Sequence, residues 1–165
     1  MISVEYCQGL AGYNQWQNQS LYREATRLSD VQRREDCGAF FKSIHGTLCH
    51  ILCADHIWMH RFDGWEMPKA RGDDSPDWIA SWDDLQALRI ASDERLISWA
   101  SGLNADILAG NLTWRSGGKT VDNSAAMWGL VVHMFNHQTH HRGQVHAMLT
   151  GFDMTPDETD IDFMK

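Results

Sequence analysis

MWGLVVHMFNHQTHHRGQVHAMLTGF, residues 127–152, carries a helical seam with histidines in its middle. Taken in steps of three and four, the segment places Met127, Leu130 and Met134 on one line. His137 and His141 come next, then Val145, Met148 and Phe152. That spacing is the stripe of a core-facing helix, expected from Ser124 to about Phe152, with Gly151 and Pro156 marking its end. An imidazole on such a seam needs a partner, because an unsatisfied buried polar group costs about 1–3 kcal/mol. Residues four apart on a helix have Cβ atoms about 5–6 Å apart. Two rings so placed can converge on one metal ion.

Three further segments show helical periodicity. The first spans about Val4 to Leu28, with Tyr6, Leu10, Tyr13, Leu21, Ala25 and Leu28 as its apolar positions. The second spans about Ala39 to Phe62, with Ile44, Leu48, Ile51, Trp58 and Phe62 on one face. The third follows Ser81-Trp82-Asp83-Asp84, a capped and acidic helix start, and presents Leu85, Leu88, Ser92, Leu96, Trp99 and Leu103. Ser29 to Asp36 reads as a polar connector. Asp63 to Ala80, with Gly64, Pro68, Gly72 and Pro76, reads as a turn-rich loop of the kind that borders functional sites. Asn111 to Asp122, with Thr113-Trp114-Arg115 and Gly117-Gly118, reads as a small hairpin. The expected fold is all-α, a four-helix bundle with long connections formed as one domain over residues 1–165. The acidic tail is expected to be loose or docked on a partner.

Composition narrows the function. The chain has 165 residues, 43% hydrophobic and 22% charged, with three Pro, eight Trp and eight Met. Its formal net charge is -8 and no Lys/Arg cluster occurs, which disfavours nucleic acid as a partner. No apolar run nears the roughly 20 residues of a membrane helix. The N-terminal segment lacks the basic start and apolar stretch of a secretory signal. Cys7, Cys37, Cys49 and Cys53 are therefore expected as reduced thiols in a cytoplasmic protein.

A third ligand to join His137 and His141 should come from a facing helix. On the second helix the apolar face centres on Leu48, Ile51 and Asp55, and His50 borders it. Geometry favours His50, although turning the helix by one residue would weaken that preference. Cys49, Cys53, His56 and His60 form a separate stripe. They run roughly 16 Å along one helix at 1.5 Å per residue, so no single ion collects them. A surface or subunit contact is the expected role of that stripe. His45 and His133 are expected as packed or partly exposed residues, or as second partners to the centre. His140 and His146 should face solvent or a contact. Gln144 lies where it can orient a ligand or a bound water. Arg142 can hold Asp55 across the bundle or form a surface ion pair.

Ser43-Ile44-His45-Gly46-Thr47-Leu48-Cys49-His50-Ile51-Leu52, followed by Ala54-Asp55-His56-Ile57-Trp58, resembles the second-helix signature of the DinB-like (DinB/YfiT-type) metal-binding bundles. Phe135 to Gln144, with its H-x-x-x-H-R-G-Q pattern, resembles their fourth-helix signature, and Tyr13 to Leu21 their first. The resemblance covers essentially the whole chain. It implies metal ligation by His50, His137 and His141, one divalent ion per chain and a homodimer. Nickel or zinc is the expected ion, with iron or manganese as alternatives. Relatives include thiol-dependent transferases or isomerases and metal-dependent hydrolases.

The expected function is therefore metal-dependent chemistry on a small molecule, such as a low-molecular-weight thiol. Three imidazoles leave coordination positions open, and an ion lowers the pKa of a water or thiol placed there. No nucleophilic side chain is singled out. The alternatives are a non-catalytic metal-binding module and a metal-free bundle responding to pH. The Glu-x-x-His pairs of di-iron bundles and the H-E-x-x-H protease pattern are both absent.

Overall fold

The computed structural model describes residues 1–115 and 121–164. The fold is mostly helical. Among the described residues four long helices dominate: α1 (Val4–Thr26), α3 (Ile44–Asp63), α4 (Trp82–Ser101) and α6 (Met127–Gly151). Two short helices, α2 (Asp30–Arg34) and α5 (Ala105–Ala109), lie in the connections. Strands β1 (Asn111–Trp114) and β2 (Asn123–Ala126) pair antiparallel, with Asn111 opposite Ala126.

Local chemistry sets most boundaries. Ser3, Ser43 and Ser81 each accept a backbone N–H at the start of α1, α3 and α4. Ser29 and Gln32 form a reciprocal capping box on α2, so the expected polar connector contains a helical turn. Gly64 ends α3 in the left-handed conformation at φ 68°, which costs a glycine nothing. Strands β1 and β2 pair antiparallel where a hairpin is expected, but β2 runs on to Ala126, and α6 therefore begins at Met127 rather than Ser124. Gly117 and Gly118 lie outside the described residues.

The second long helix also starts later than its periodicity suggests, at Ile44 rather than Ala39. Ala39 to Lys42 instead make a tight turn, in which the Lys42 N–H donates to the Ala39 carbonyl at 2.8 Å and Lys42 sits at φ 65°. Gly46 lets this turn press onto α3, since a Cβ there would lie 2.8 Å from the Phe41 carbonyl oxygen.

Helix α6 packs on both α1 and α3, and α4 packs on the same two helices. Two apolar clusters result. One gathers Leu21, Ala25, Leu48, Ile51, Leu85 and Val145; the other gathers Met59, Leu96, Trp99, Val131, Met134 and Phe135. A polar layer joins all four helices. Arg89 of α4 donates to Asp55 of α3 at 2.6 Å and pairs with Asp93 at 2.8 Å, all three at most 3% exposed. Asn14 and Asn18 of α1 donate to Asp93, and Gln138 of α6 donates to Asp55 at 2.8 Å. Arg142 donates to Asn14 and to Thr139. Arg142 is buried, so the surface ion pair does not form; Gln138 makes the hydrogen bond to Asp55, whose charge still supports that of Arg142.

The C-terminal segment is docked on its own chain. Tyr13 and Gln17 donate to the carbonyls of Thr159 and Glu158, at 2.8 and 2.9 Å. Ser20 accepts the Asp157 N–H, and Arg23 pairs with the Asp157 carboxylate. The tail thus runs along α1, neither loose nor held for a partner. None of the described helices is long and apolar enough to cross a membrane.

Removing Arg89 leaves two buried carboxylates facing one another. Arg89→Met is expected to lower unfolding stability by about 3–5 kcal/mol, read as a lower urea midpoint at unchanged slope. A loss under about 1 kcal/mol, the value of an exposed pair, would show that the network does not hold the helices.

Candidate metal centre

His137 and His141 project from α6 one turn apart, and His50 meets them from α3. One ring nitrogen from each lies within 4.8 Å of the others. Nε2 of His50 stands 3.1 Å from Nε2 of His137. Ring centroids lie 4.5 Å apart for His137 and His141, and 4.8 Å for His50 and His141. The three sequence-predicted residues are therefore brought together. Among the described residues no other group of His, Cys, Asp and Glu gathers in this way.

Neighbouring residues fix which nitrogens are free. Ser75 gives its hydroxyl proton to the Gly72 carbonyl and so accepts from His50 Nδ1–H at 2.7 Å. His141 Nδ1–H donates to the Gln144 side-chain oxygen at 2.8 Å, while the Gln144 amide donates to His140 at 3.2 Å. Both braces leave Nε2 as the lone-pair nitrogen, turned toward the cluster. Two nitrogens on one ion at about 2.0–2.1 Å stand about 3.3 Å apart. The His50–His137 separation is close to that spacing, and with all three donor atoms within 4.8 Å the set fits a divalent ion once the third ring closes in.

The electrostatics agree. Burial, reinforced by His137 and His141, pushes His50 down to about 3. Burial and then His141 push His137 down to about 4, against the opposing pull of Asp55. His141 is lowered by burial, partly offset by its bond to Gln144. All three are neutral near pH 7, the state a metal requires.

Two participants escape the helical pattern. Phe41, in the turn before α3, stacks on His50 with centroids 3.7 Å apart and lies 5.4 Å from the His141 ring. Ser75 comes from the 3-10 turn Gly72–Asp77 inside the long loop. The presence of that loop beside the centre was legible; the choice of Ser75 was not. Gln144, expected near the seam, bonds the His141 ring.

The Cys49, Cys53, His56 and His60 stripe corrects the surface expectation. The loop after α3 folds back over it. Cys49 and Cys53 are fully buried, with Cys53 donating to the Ala70 carbonyl and Cys49 accepting from the Ile79 N–H. His56 is buried against Ser92 at 2.9 Å. Only His60 stays exposed, contacting the Trp65 carbonyl at 2.6 Å. Burial raises the Cys53 thiol to about 12, so it is no thiolate. His45 is buried and bonded to the Ile79 carbonyl at 2.8 Å, away from the cluster. His133 is exposed beside Trp58, and His140 is exposed.

Unfolded imidazoles titrate near about 6.5. Between that value and their lower folded values, the unfolded chain binds protons that the folded chain does not. Stability therefore rises with pH across the window and falls on acidification. The metal-free protein is expected to lose Tm as pH drops from about 6.5 toward about 4, and His50→Gln should flatten that slope. Equal slopes in the two proteins would show that His50 is not held neutral.

The model of the DinB family matches residues 3–165. No curated protein matches the chain. A whole-length match together with the three gathered histidines leads to one conclusion: the chain belongs to the DinB family.

Proposed function

We propose that residues 1–165 form a single-domain four-helix bundle that binds one divalent ion through His50, His137 and His141, and that it acts on a small molecule as a thiol-dependent transferase or a hydrolase. The observation that carries this reading is the convergence of three neutral imidazoles, two of them braced with Nε2 turned inward. Nickel or zinc suits such a nitrogen set, with iron or manganese next. The bound ion supplies Lewis acidity toward a water or thiol in its remaining positions. His50, His137 and His141 hold it; Ser75 and Gln144 keep two of the rings in the ligating tautomer. Phe41 shields the His50 face from water. A homodimer belongs to the same proposal, but through a surface other than the buried cysteine stripe.

A second reading, the non-catalytic module, draws support from Phe41. Its stacking on His50 and closeness to His141 narrow the approach to the centre.

Elemental analysis of gently purified protein should find about one ion per chain, and little in His137→Ala or His141→Ala. Gln144→Ala should keep the site but weaken metal affinity about 10–100-fold. Full metal content in His141→Ala would remove the ligand assignment. Stoichiometric metal without turnover, in screens of hydrolysable esters and of thiol transfer, would favour the module.

A further inference from the structure

A cavity of about 900 Å³ lies between α1, α6 and the tail that runs along α1. Tyr13 and Leu21 line it from α1, Thr139, Arg142 and Gly143 from α6, and residues 154–159 from the tail. None of the three clustered histidines borders it.

Arg142 brings to this wall a positive charge that no carboxylate touches. The fold buries Arg33, Arg89 and Arg142. Arg89 contacts Asp55 and Asp93, and Arg33 reaches Asp30 at 3.7 Å. Among the described residues Arg142 has only neutral hydrogen-bond partners, Asn14 Oδ1 and Thr139 Oγ1. Asp55 and Asp93 support its charge through space, against a desolvation that lowers it to about 10. It therefore stays protonated near pH 7, buried and without an anion in contact.

The guanidinium stands at the cavity wall rather than behind it. One terminal nitrogen donates at 3.2 Å to the hydroxyl of Thr139, an exposed residue that lines the cavity. The guanidinium carbon lies 5.7 Å from the ring centre of Tyr13, a second lining residue. Nε makes no hydrogen bond among the described residues. Yet it is not one of the sealed, unpartnered nitrogens, as Nε of Arg33 and of Arg89 are. Nε thus keeps some contact with open space, and this cavity is the open space bordering Arg142.

A guanidinium with a free N–H edge suits a carboxylate. The other walls narrow the choice. Leu21, Met154 and Pro156 offer apolar surface. Asp157, already paired with Arg23, and Glu158 lie on the tail side, where a second negative charge on a ligand would be repelled. The volume falls within the roughly 300–1,000 Å³ of small-molecule pockets, more than a bare inorganic anion fills.

We propose that the cavity between α1, α6 and the tail is a binding site for a monocarboxylate with an apolar body. The carboxylate accepts from Arg142 Nε–H, and the body lies against Leu21, Met154 and Pro156. Binding there needs no ion at the histidines.

Octanoate is the probe, titrated into the full chain and followed by calorimetry and by NMR. Saturable binding is expected, with shifts centred on Arg142 Nε–H, Thr139 and residues 154–159. Octanamide, of equal length but uncharged, should bind at least about tenfold more weakly, because a hydrogen bond to a charged partner is the stronger kind. Octanedioate, which carries a second charge toward Asp157 and Glu158, should also bind more weakly. At Gly143 a Cβ would meet nothing within 4 Å, and a helix gains from losing a glycine. Gly143→Leu should therefore keep or raise the ligand-free Tm while filling the cavity and weakening octanoate at least about tenfold. Arg142→Gln, checked for folding by circular dichroism, should lose the preference for octanoate over octanamide. No saturation up to the solubility limit, octanamide binding as tightly as octanoate, or wild-type affinity in Gly143→Leu would each overturn the proposal. Shifts centred on His50, His137 and His141 instead of Arg142 would do the same.

Discussion

Arg89 lies between Asp55 and Asp93 where water cannot reach, and the positions of all four long helices are tied to that arrangement. Burial works against the guanidinium charge, yet the two carboxylates raise its pKa above the ordinary value. Burial raises Asp93 in turn, and Arg89 and Asn18 oppose the rise. Arg142 brings a second buried cation, lowered to about 10 by desolvation. Two acids and two guanidiniums thus share one interior layer. Ionic groups in such a place add little net stability compared with well-packed apolar residues, but they punish any slip of one helix past another. The Asp55–Gln138 bond ties α3 to α6 one residue from His137, so the layer also sets the register in which His50 can meet the α6 histidines.

The candidate metal centre is built on two helices and finished by two loops. Packing supplies the convergence of rings, burial supplies their neutrality, and Ser75 and Gln144 supply their orientation. Phe41 is placed by a turn that holds Lys42 in the left-handed region, a conformation costing a non-glycine residue about 1–3 kcal/mol. A turn maintained at that cost beside the histidines fixes the aromatic cover in one place and does not leave it to a mobile segment.

Helix α6 was readable because Met127, Met134, His141, Val145 and Met148 of its expected seam are buried, although Gln138 and Arg142, which the seam left out, are buried beside them. Helices α1 and α4 were readable as helices, but their full buried faces were not. On α1 the inward positions include Leu21 and Ala25 as expected, but also Cys7, Ala11, Asn14, Gln17 and Asn18, while Tyr6, counted as apolar, is 39% exposed. Arg89 and Asp93 likewise resemble surface residues until Asp55 and the asparagines are seen around them. Hydrophobic patterning does not register a polar group satisfied across a helix interface. The outward reading of Cys49 and Cys53 failed for another reason: it treated α3 as if nothing lay over its second face. The loop that covers that face also delivers Ser75, and the path of a loop is written in tertiary contacts rather than in periodicity.

The tail along α1 bears on how the protein is made. Tyr13 and Gln17 bond to carbonyls 146 and 141 residues later in the chain, and α1 packs chiefly on α4 and α6. During synthesis, α1 leaves the ribosome well before α4, α6 and the tail on which it packs. At roughly 5–20 residues per second, its buried face waits several seconds for α6 and the tail to emerge. The polar character of that face, with Asn14, Gln17 and Asn18 where leucines would otherwise stand, keeps the waiting helix from being a sticky apolar surface.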